Sequence, residues 1–257
     1  MSNITLQVGP VPAKKVAVIS HERSGTHFLM NTIAYNFNFI SAPWWNLDFE
    51  LGLNFHSPQT LLNYIKPTED KPVLNILKSH HAVAFFDGIM DYLTDQFHLF
   101  YIYRDPRDTL VSQWKLMKTY RDQGWEEGPI SATIGEYIQA APSGAMLRYQ
   151  KQQHPSILHR WQDHVTSWIE SSTIAPVCLI KYEELNLNFE ATVGKIGAYL
   201  ERSVPQQPHR PEKNKNVISP GQGQVNGWRN QLTPADNQFV VTIAGELMQR
   251  LGYQLDW

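Results

Sequence analysis

"KVAVISHERSGTHFLMNTIAYNF" occupies residues 15 to 37 and divides into three parts. "KVAVIS" is an apolar run too short for a helix, whereas "THFLMNTIAYNF" carries its apolar side chains at helical spacing. "HERSG" must therefore turn a strand into a helix. Gly25 supplies a backbone turn that other residues resist, and the amides of Ser24 to His27 then open a helix whose positive end favours an anion. Arg23 and the hydroxyls of Ser24 and Thr26 add charge and hydrogen bonds. A plain strand-to-helix turn with Thr26 as cap is the simpler alternative. No lysine follows Gly25, so a nucleoside triphosphate with magnesium is poorly served.

Three further runs read as buried strands: "VLNILKSH" (73 to 80), "HLFYIYR" (98 to 104) and "VCLIKY" (177 to 182). Helical stretches alternate with them: "PRDTLVSQWKLMKTY" after the third strand, "FEATVGKIGAYLE" after the fourth, and "PADNQFVVTIAGELMQRLGY" at the end. The alternation predicts an α/β fold, a central, mostly parallel sheet flanked by helices, with a P-loop-like strand-loop-helix at the N-terminus. In such sheets ligands bind beyond the carboxyl ends of the strands. Those ends carry Ser20 leading into Arg23, Lys78 with His80, Arg104, and Tyr182. Three segments lack periodicity and read as binding loops or lids: 41 to 60, 119 to 131 and 203 to 227.

Composition narrows the class. The 257 residues read as a single domain over 1–257, with 42% hydrophobic residues for its core. A net charge of -2 without a basic run disfavours nucleic acid as a partner. The lone Cys178 lies in an apolar run, which excludes a disulfide framework and a cysteine zinc site. Neither a signal sequence nor a membrane span is read in the chain, so a cytoplasmic protein is expected.

"YRDPRDTLVSQW" (103 to 114) adds a second polar site. Asp105 suits an N-cap and Pro106 the first helical position, so Arg104 ends the strand and Ser112 lies two turns into the next helix. Arg104 pairing with Asp105 or Asp108, and Ser112 bonding back to its own helix, are the structural alternatives.

Together these segments resemble the PAPS-dependent sulfotransferases. "ERSGTHFL" is similar to their 5'-phosphosulfate loop, and "YRDPRDTLVSQW" to their 3'-phosphate segment with its Arg-to-Ser separation kept. "LKSHH", "LIKYEEL" and "GQGQVNGWRNQLT" resemble three further family segments, in the family's order. The resemblance implies PAPS as co-substrate, PAP as product, no metal, and a small-molecule acceptor. It places Arg23, Ser24, Gly25, Thr26, His27, Phe28, Arg104, Ser112, Tyr182, Gly223 and Trp228 on the nucleotide, with Phe28 and Trp228 as stacking partners for adenine. One departure stands out: where the family has Arg-Lys-Gly on the 3'-phosphate, this chain has Gly221, Gln222 and Gly223. Lys213, Lys215 and Arg229 are the candidates to replace the missing charge.

The reaction implied is in-line transfer of a sulfuryl group to a hydroxyl or amine. Lys78 and Arg23 are assigned to the charge on the transferred group, and His80 to the general base. His81, His21 and His27 are nearby alternatives; His154 and His164 read as structural or surface. Trp44, Trp45, Phe49, Phe85, Phe86 and Trp125 are candidates for an apolar acceptor pocket or for the core. Two other readings remain: a P-loop-type small-molecule kinase, disfavoured by the missing Gly-Lys-Ser/Thr, and a nucleotide-binding regulatory protein of the same fold without turnover.

Overall fold

The computed structural model describes residues 14–47, 57–212 and 223–257. β1 (Lys15–Ser20) runs into α1 (Thr26–Phe37), β2 (Ile40–Asn46), α2 (Pro58–Ile65) and β3 (Asn75–Ser79). α3 (Met90–Gln96), β4 (Phe97–Tyr103), α4 (Pro106–Asp122), α5 (Ile134–Gln139) and α6 (Ile157–Ser171) follow. β5 (Val177–Lys181), α7 (Tyr182–Leu187), α8 (Phe189–Tyr199) and α9 (Pro234–Arg250) complete the chain. The strands form one sheet in the order β2-β3-β1-β4-β5, and every adjacent pair is parallel. From β1 the chain steps outward to β2, and from β3 it crosses β1 to reach β4. That reversal of direction opens a crevice at the carboxyl ends of β3, β1 and β4.

Side chains alternate across the sheet, and each face buries its own core. Val16, Val18, Ile76, Phe100, Ile102 and Ile180 pack against Leu29, Met30 and Ile33 of α1 and Val193 and Ile196 of α8. Ala17, Ile19, Leu77, Leu99 and Tyr101 face the other way, toward Leu61 and Ile65 of α2 and Trp168 of α6. Phe100, at the centre, is fully buried; truncating such a side chain to alanine costs about 3–5 kcal/mol. A third cluster joins α4, α5, α6 and α9.

The register brings Val18 beside both Lys78 and Phe100. Lys78 therefore projects on the α1 face, and Ser20, two residues beyond Val18, does the same. Caps fix the helix starts. The Asp105 carboxylate accepts from the Arg107 amide at 2.9 Å, with Pro106 at the first position of α4. Ser156 caps α6, and Thr233 with Asp236 forms a capping box on α9.

The α/β expectation holds, and the four expected strands are β1, β3, β4 and β5, with ends that agree within two residues. The segment 41 to 60 differs: its residues as far as Asn46 belong to β2. β2 is a half-exposed edge strand interrupted by Pro43, with a register shift between Ile40 and Trp45, so it lacks both continuous hydrophobicity and alternation. α4 likewise extends to Asp122, into the segment expected to be irregular from 119. Phe49, Lys213, Lys215, Gly221 and Gln222 lie outside the described residues. No helix among the described residues is long and apolar enough to cross a membrane.

Candidate functional site

The turn after β1 is the centre of the cleft. Gly25 has φ 101 and occupies the N-cap of α1, where no side-chain cap bond is present among the described residues. The expected alternative of a threonine cap is therefore not adopted, and the first amides of a twelve-residue helix point out of its end unmatched by a side chain. A Cβ on Gly25 would run into the Tyr182 ring, so glycine is required for close approach as well as for φ. Arg23 also has a left-handed backbone, at φ 68, a conformation that costs a non-glycine residue about 1–2 kcal/mol. Such strain persists where the surroundings over-determine it, commonly at ligand clamps.

Ser20, Thr26 and His80 meet on the α1 side of this turn. The Ser20 and Thr26 hydroxyls are 2.7 Å apart, and Nδ1 of His80 lies 3.0 Å from the Ser20 carbonyl and 3.2 Å from its hydroxyl. A carbonyl oxygen only accepts, so Nδ1 carries the proton of the neutral imidazole and Nε2 the lone pair. Lys78, 6% exposed, lies on β3 two residues before His80. β3 ends at Ser79, and His81 turns inward, within 2.8 Å of the Ser79 hydroxyl. The rings of His80 and His81 both meet Tyr149 edge-on, at 5.6 and 5.3 Å.

The other side of the turn is lined by cations. Nε of Arg23 donates to the Ser112 hydroxyl at 2.9 Å, across 89 residues of sequence. Arg104 donates to the carbonyls of Gln224 at 2.7 Å and Arg23 at 3.4 Å, and its guanidinium lies 4.5 Å from the Tyr182 ring centre. Its approach to Asp108 is long, 3.9 Å, and Asp105 pairs instead with Arg107 at 2.7 Å. Asp108 itself accepts from the amides of Asn226 and Trp228 at 2.8 and 2.9 Å. Burial raises the Asp108 carboxyl, with Arg104 acting against it. Burial, with a smaller contribution from Arg104, brings Arg23 below the usual arginine range.

Among the described residues two buried polar atoms here have no hydrogen-bond partner: the hydroxyl of Ser24, 0% exposed, and Nε of Arg104, 7% exposed. Orphaned polar atoms beside an uncapped helix end suit a phosphate or sulfate ester, which supplies several acceptor oxygens and negative charge.

Other expected residues divide between cleft and core. His27 packs edge-on against Trp44 at 4.8 Å, and Phe28 lies near Tyr182 and Phe189 at 6.2 and 6.3 Å. The Gly223 carbonyl accepts from the Tyr182 hydroxyl at 2.9 Å and the Asn186 amide at 3.0 Å. Trp228 differs from the expectation. It is fully buried, with Arg107 3.9 Å and Arg229 4.5 Å from its ring centre, so its faces are covered by the protein's own cations. Phe85 and Phe86 are buried in the core, and Trp45 packs against Tyr64 and Phe97. Trp125 is 48% exposed and lies against Tyr120.

The sequence reading missed the support beneath His80. Nη2 of Arg160 donates to both oxygens of the Glu22 carboxylate at 2.8 and 3.0 Å, and Nη1 lies 2.8 Å from Nε2 of His21. Nε2 of His164 lies 3.2 Å from the His80 carbonyl, its Nδ1 2.9 Å from the Tyr101 hydroxyl, and the Trp168 indole donates to the His81 carbonyl at 3.2 Å. The spacing Arg160, His164, Trp168 was the available signal, since residues four apart share a helix face. Burial holds His21 and His164 well below the usual histidine range, with Arg160 adding to the effect. Burial raises the Glu22 carboxyl, but Arg160, helped by His80, outweighs it and leaves the group below its ordinary value.

This arrangement of loop, strand ends and α4 can be compared with known proteins. The sulfotransferase domain pattern matches residues 13–252. The chain belongs to the sulfotransferase family. It is 24% identical over 249 residues to human sulfotransferase 2A1, covering 94% of this chain and 76% of that one. Among solved structures, mouse sulfotransferase SULT7A1 complexed with PAP aligns with a TM-score of 0.61 and 21% identity, covering 92% of this chain and 85% of that one. Retinol dehydratase in complex with androsterone and the inactive cofactor PAP aligns at 0.60 and 14%, covering 96% and 84%.

Proposed function

We propose that this protein transfers a sulfuryl group from PAPS to a hydroxyl or amine of a small-molecule acceptor, with His80 as general base. The observation that carries the reading is the convergence, around the glycine-capped end of α1, of the Ser24 hydroxyl, unpartnered among the described residues, with Lys78, His80, Arg104 and Ser112. Family membership supports the same reaction, and PAP is the nucleotide in the sulfotransferase and retinol dehydratase complexes of the same fold.

PAPS supplies an activated sulfuryl group on a nucleotide that carries a separate 3'-phosphate. The Ser24 to His27 amides and the Ser24 hydroxyl hold the phosphosulfate end, and Arg104 and Ser112 the 3'-phosphate. Lys78 balances negative charge on the transferred group and the leaving oxygen, as cations do in phosphoryl transfer. His80, protonated on Nδ1 toward Ser20, presents Nε2 as the base for the acceptor's proton. The contact from Ser20 fixes the ring so that it need not reorganise during transfer.

Calorimetry of the full chain with PAP, and separately with ATP plus magnesium, tests the donor. Binding of PAP without magnesium, followed by transfer of labelled sulfate from PAPS to a panel of phenols, sterols and amines, is expected. Preference for ATP with magnesium would replace the reading with a kinase. PAP binding without transfer to any acceptor would favour a regulatory protein of the same fold.

A further inference from the structure

Tyr149, which meets the His80 ring edge-on at 5.6 Å, is flanked by Arg148, whose guanidinium lies 4.6 Å from the Tyr149 ring centre and pairs with Glu127 at 3.0 Å. Glu22 also lies within electrostatic reach of His80 and holds Arg160 on its carboxylate. Tyr120, in the last turn of α4, joins the two groups, because Glu127, Arg148, Glu22 and Arg23 all lie within electrostatic reach of its hydroxyl. Hydroxyls, carboxylates and guanidiniums thus surround the base. Of the aromatic residues expected to form an apolar acceptor pocket, Phe85 and Phe86 are buried in the core and Trp45 packs against Tyr64 and Phe97.

Two members of this polar surround have capacity for a ligand. The Glu22 side chain is 13% exposed against 1% for Arg160, and its carboxylate has about four acceptor positions, more than Arg160 and the Glu22 amide fill. Gln113 is 1% exposed with both amide atoms unpartnered among the described residues, and its place seven positions before Tyr120 puts it on the same face of α4. Glu22 and Glu127 are each matched by an arginine, which suits an uncharged molecule able to donate and accept at several points.

We infer that the acceptor is an uncharged polyhydroxylated molecule of the saccharide or polyol class, selected by Glu22 and Gln113 through hydroxyls beside the one that is sulfated. This rests on the reading above and deepens it. The acceptor oxygen bonds to sulfur as the bond from sulfur to the 5'-phosphate oxygen breaks, the hydroxyl proton passes to Nε2 of His80, and PAP leaves with the electron pair. A phenol or sterol would cover the same polar groups without pairing them, the situation in which a hydrogen-bonding site rejects an analogue.

Transfer of labelled sulfate from PAPS by the full chain to methyl glucoside, myo-inositol, 1-naphthol and a sterol tests the class. The saccharide or the polyol is expected to exceed the others in kcat/KM by at least about 100-fold. Preference for 1-naphthol or the sterol would overturn the acceptor class and leave the sulfotransferase reading standing; transfer to neither class would overturn both. Glu22→Gln is expected to raise KM for the hydroxylated acceptor about 10- to 100-fold, the scale of a charge-assisted hydrogen bond, with kcat and PAP affinity changed less than about 3-fold. An unchanged KM, or an equal loss for 1-naphthol, would make Glu22 only a brace for Arg160 and overturn its role in selection. Should Glu22→Gln fail to fold, Gln113→Leu carries the same test, since it too should lower the ratio of hydroxylated to aromatic acceptor kcat/KM.

Discussion

The two walls of the cleft hold their arginines differently, Arg160 by a carboxylate and Arg104 by backbone carbonyls. Beneath His80, the face of α6 presents Arg160, His164 and Trp168 to Glu22 and to the backbone of the His80 loop, and these three side chains are buried, although Nε of Arg160 has no partner among the described residues. Around Arg104, carbonyl contacts replace carboxylate pairing, and the Ser24 hydroxyl and an Arg104 nitrogen are left without partners among the described residues. Polar groups satisfied inside the protein hold a shape, and buried ones left wanting are suited to complete their bonds with a ligand. The difference teaches which charges position and which bind, something that residue identity alone does not separate: both walls contain arginine.

His80 stands on the border between the walls, and its replacement should have the largest effect. His80→Ala is expected to lower kcat about 100- to 10,000-fold, the usual range for a general base, with PAP affinity unchanged within a few-fold. Single-turnover sulfation together with calorimetry checks it, and a matching loss of PAP affinity would assign His80 to the structural wall. Arg160→Met should come next, destabilising the fold by about 3–5 kcal/mol because it strands the Glu22 carboxylate. Urea unfolding would reveal it, and a loss under about 1 kcal/mol would mean that water reaches Glu22 and the wall is not dry.

Acidification tests the same wall without mutation. The folded protein keeps His21 and His164 neutral, whereas the unfolded chain takes up protons on them near pH 6.5. The unfolded state therefore binds more protons, and stability falls as pH drops below about 6.5, with a limiting slope of about 1.4 kcal/mol per pH unit for each ring. An unchanged urea midpoint between pH 7 and 5.5 would contradict that burial. The smallest effect is expected from Tyr101→Phe, which leaves Nδ1 of His164 without its hydroxyl at a cost of about 1–3 kcal/mol. A change in the pH dependence of kcat beyond this stability loss would add His164 to the machinery that orients His80.

Legibility followed the range of the interactions. β1, α1 and the glycine turn were readable because short apolar runs, helical spacing and a required positive φ are properties of neighbouring residues. β2 escaped because an edge strand with Pro43 lacks both the alternation and the continuous hydrophobicity that mark a strand. Trp228 looked like a stacking platform because an aromatic residue in a glycine-rich loop has the same sequence signature whether it faces a ligand or the protein's own arginines. The sequence by itself determined the α/β alternation, the glycine turn after β1 and the cations at the strand ends, since each depends on residues within a dozen positions of one another. Only the tertiary structure decided that Arg23 reaches Ser112 and that Arg160 and His164 brace the His80 loop. Those partners are separated by 84 to 138 residues, and the parallel sheet rather than local preference brings them together.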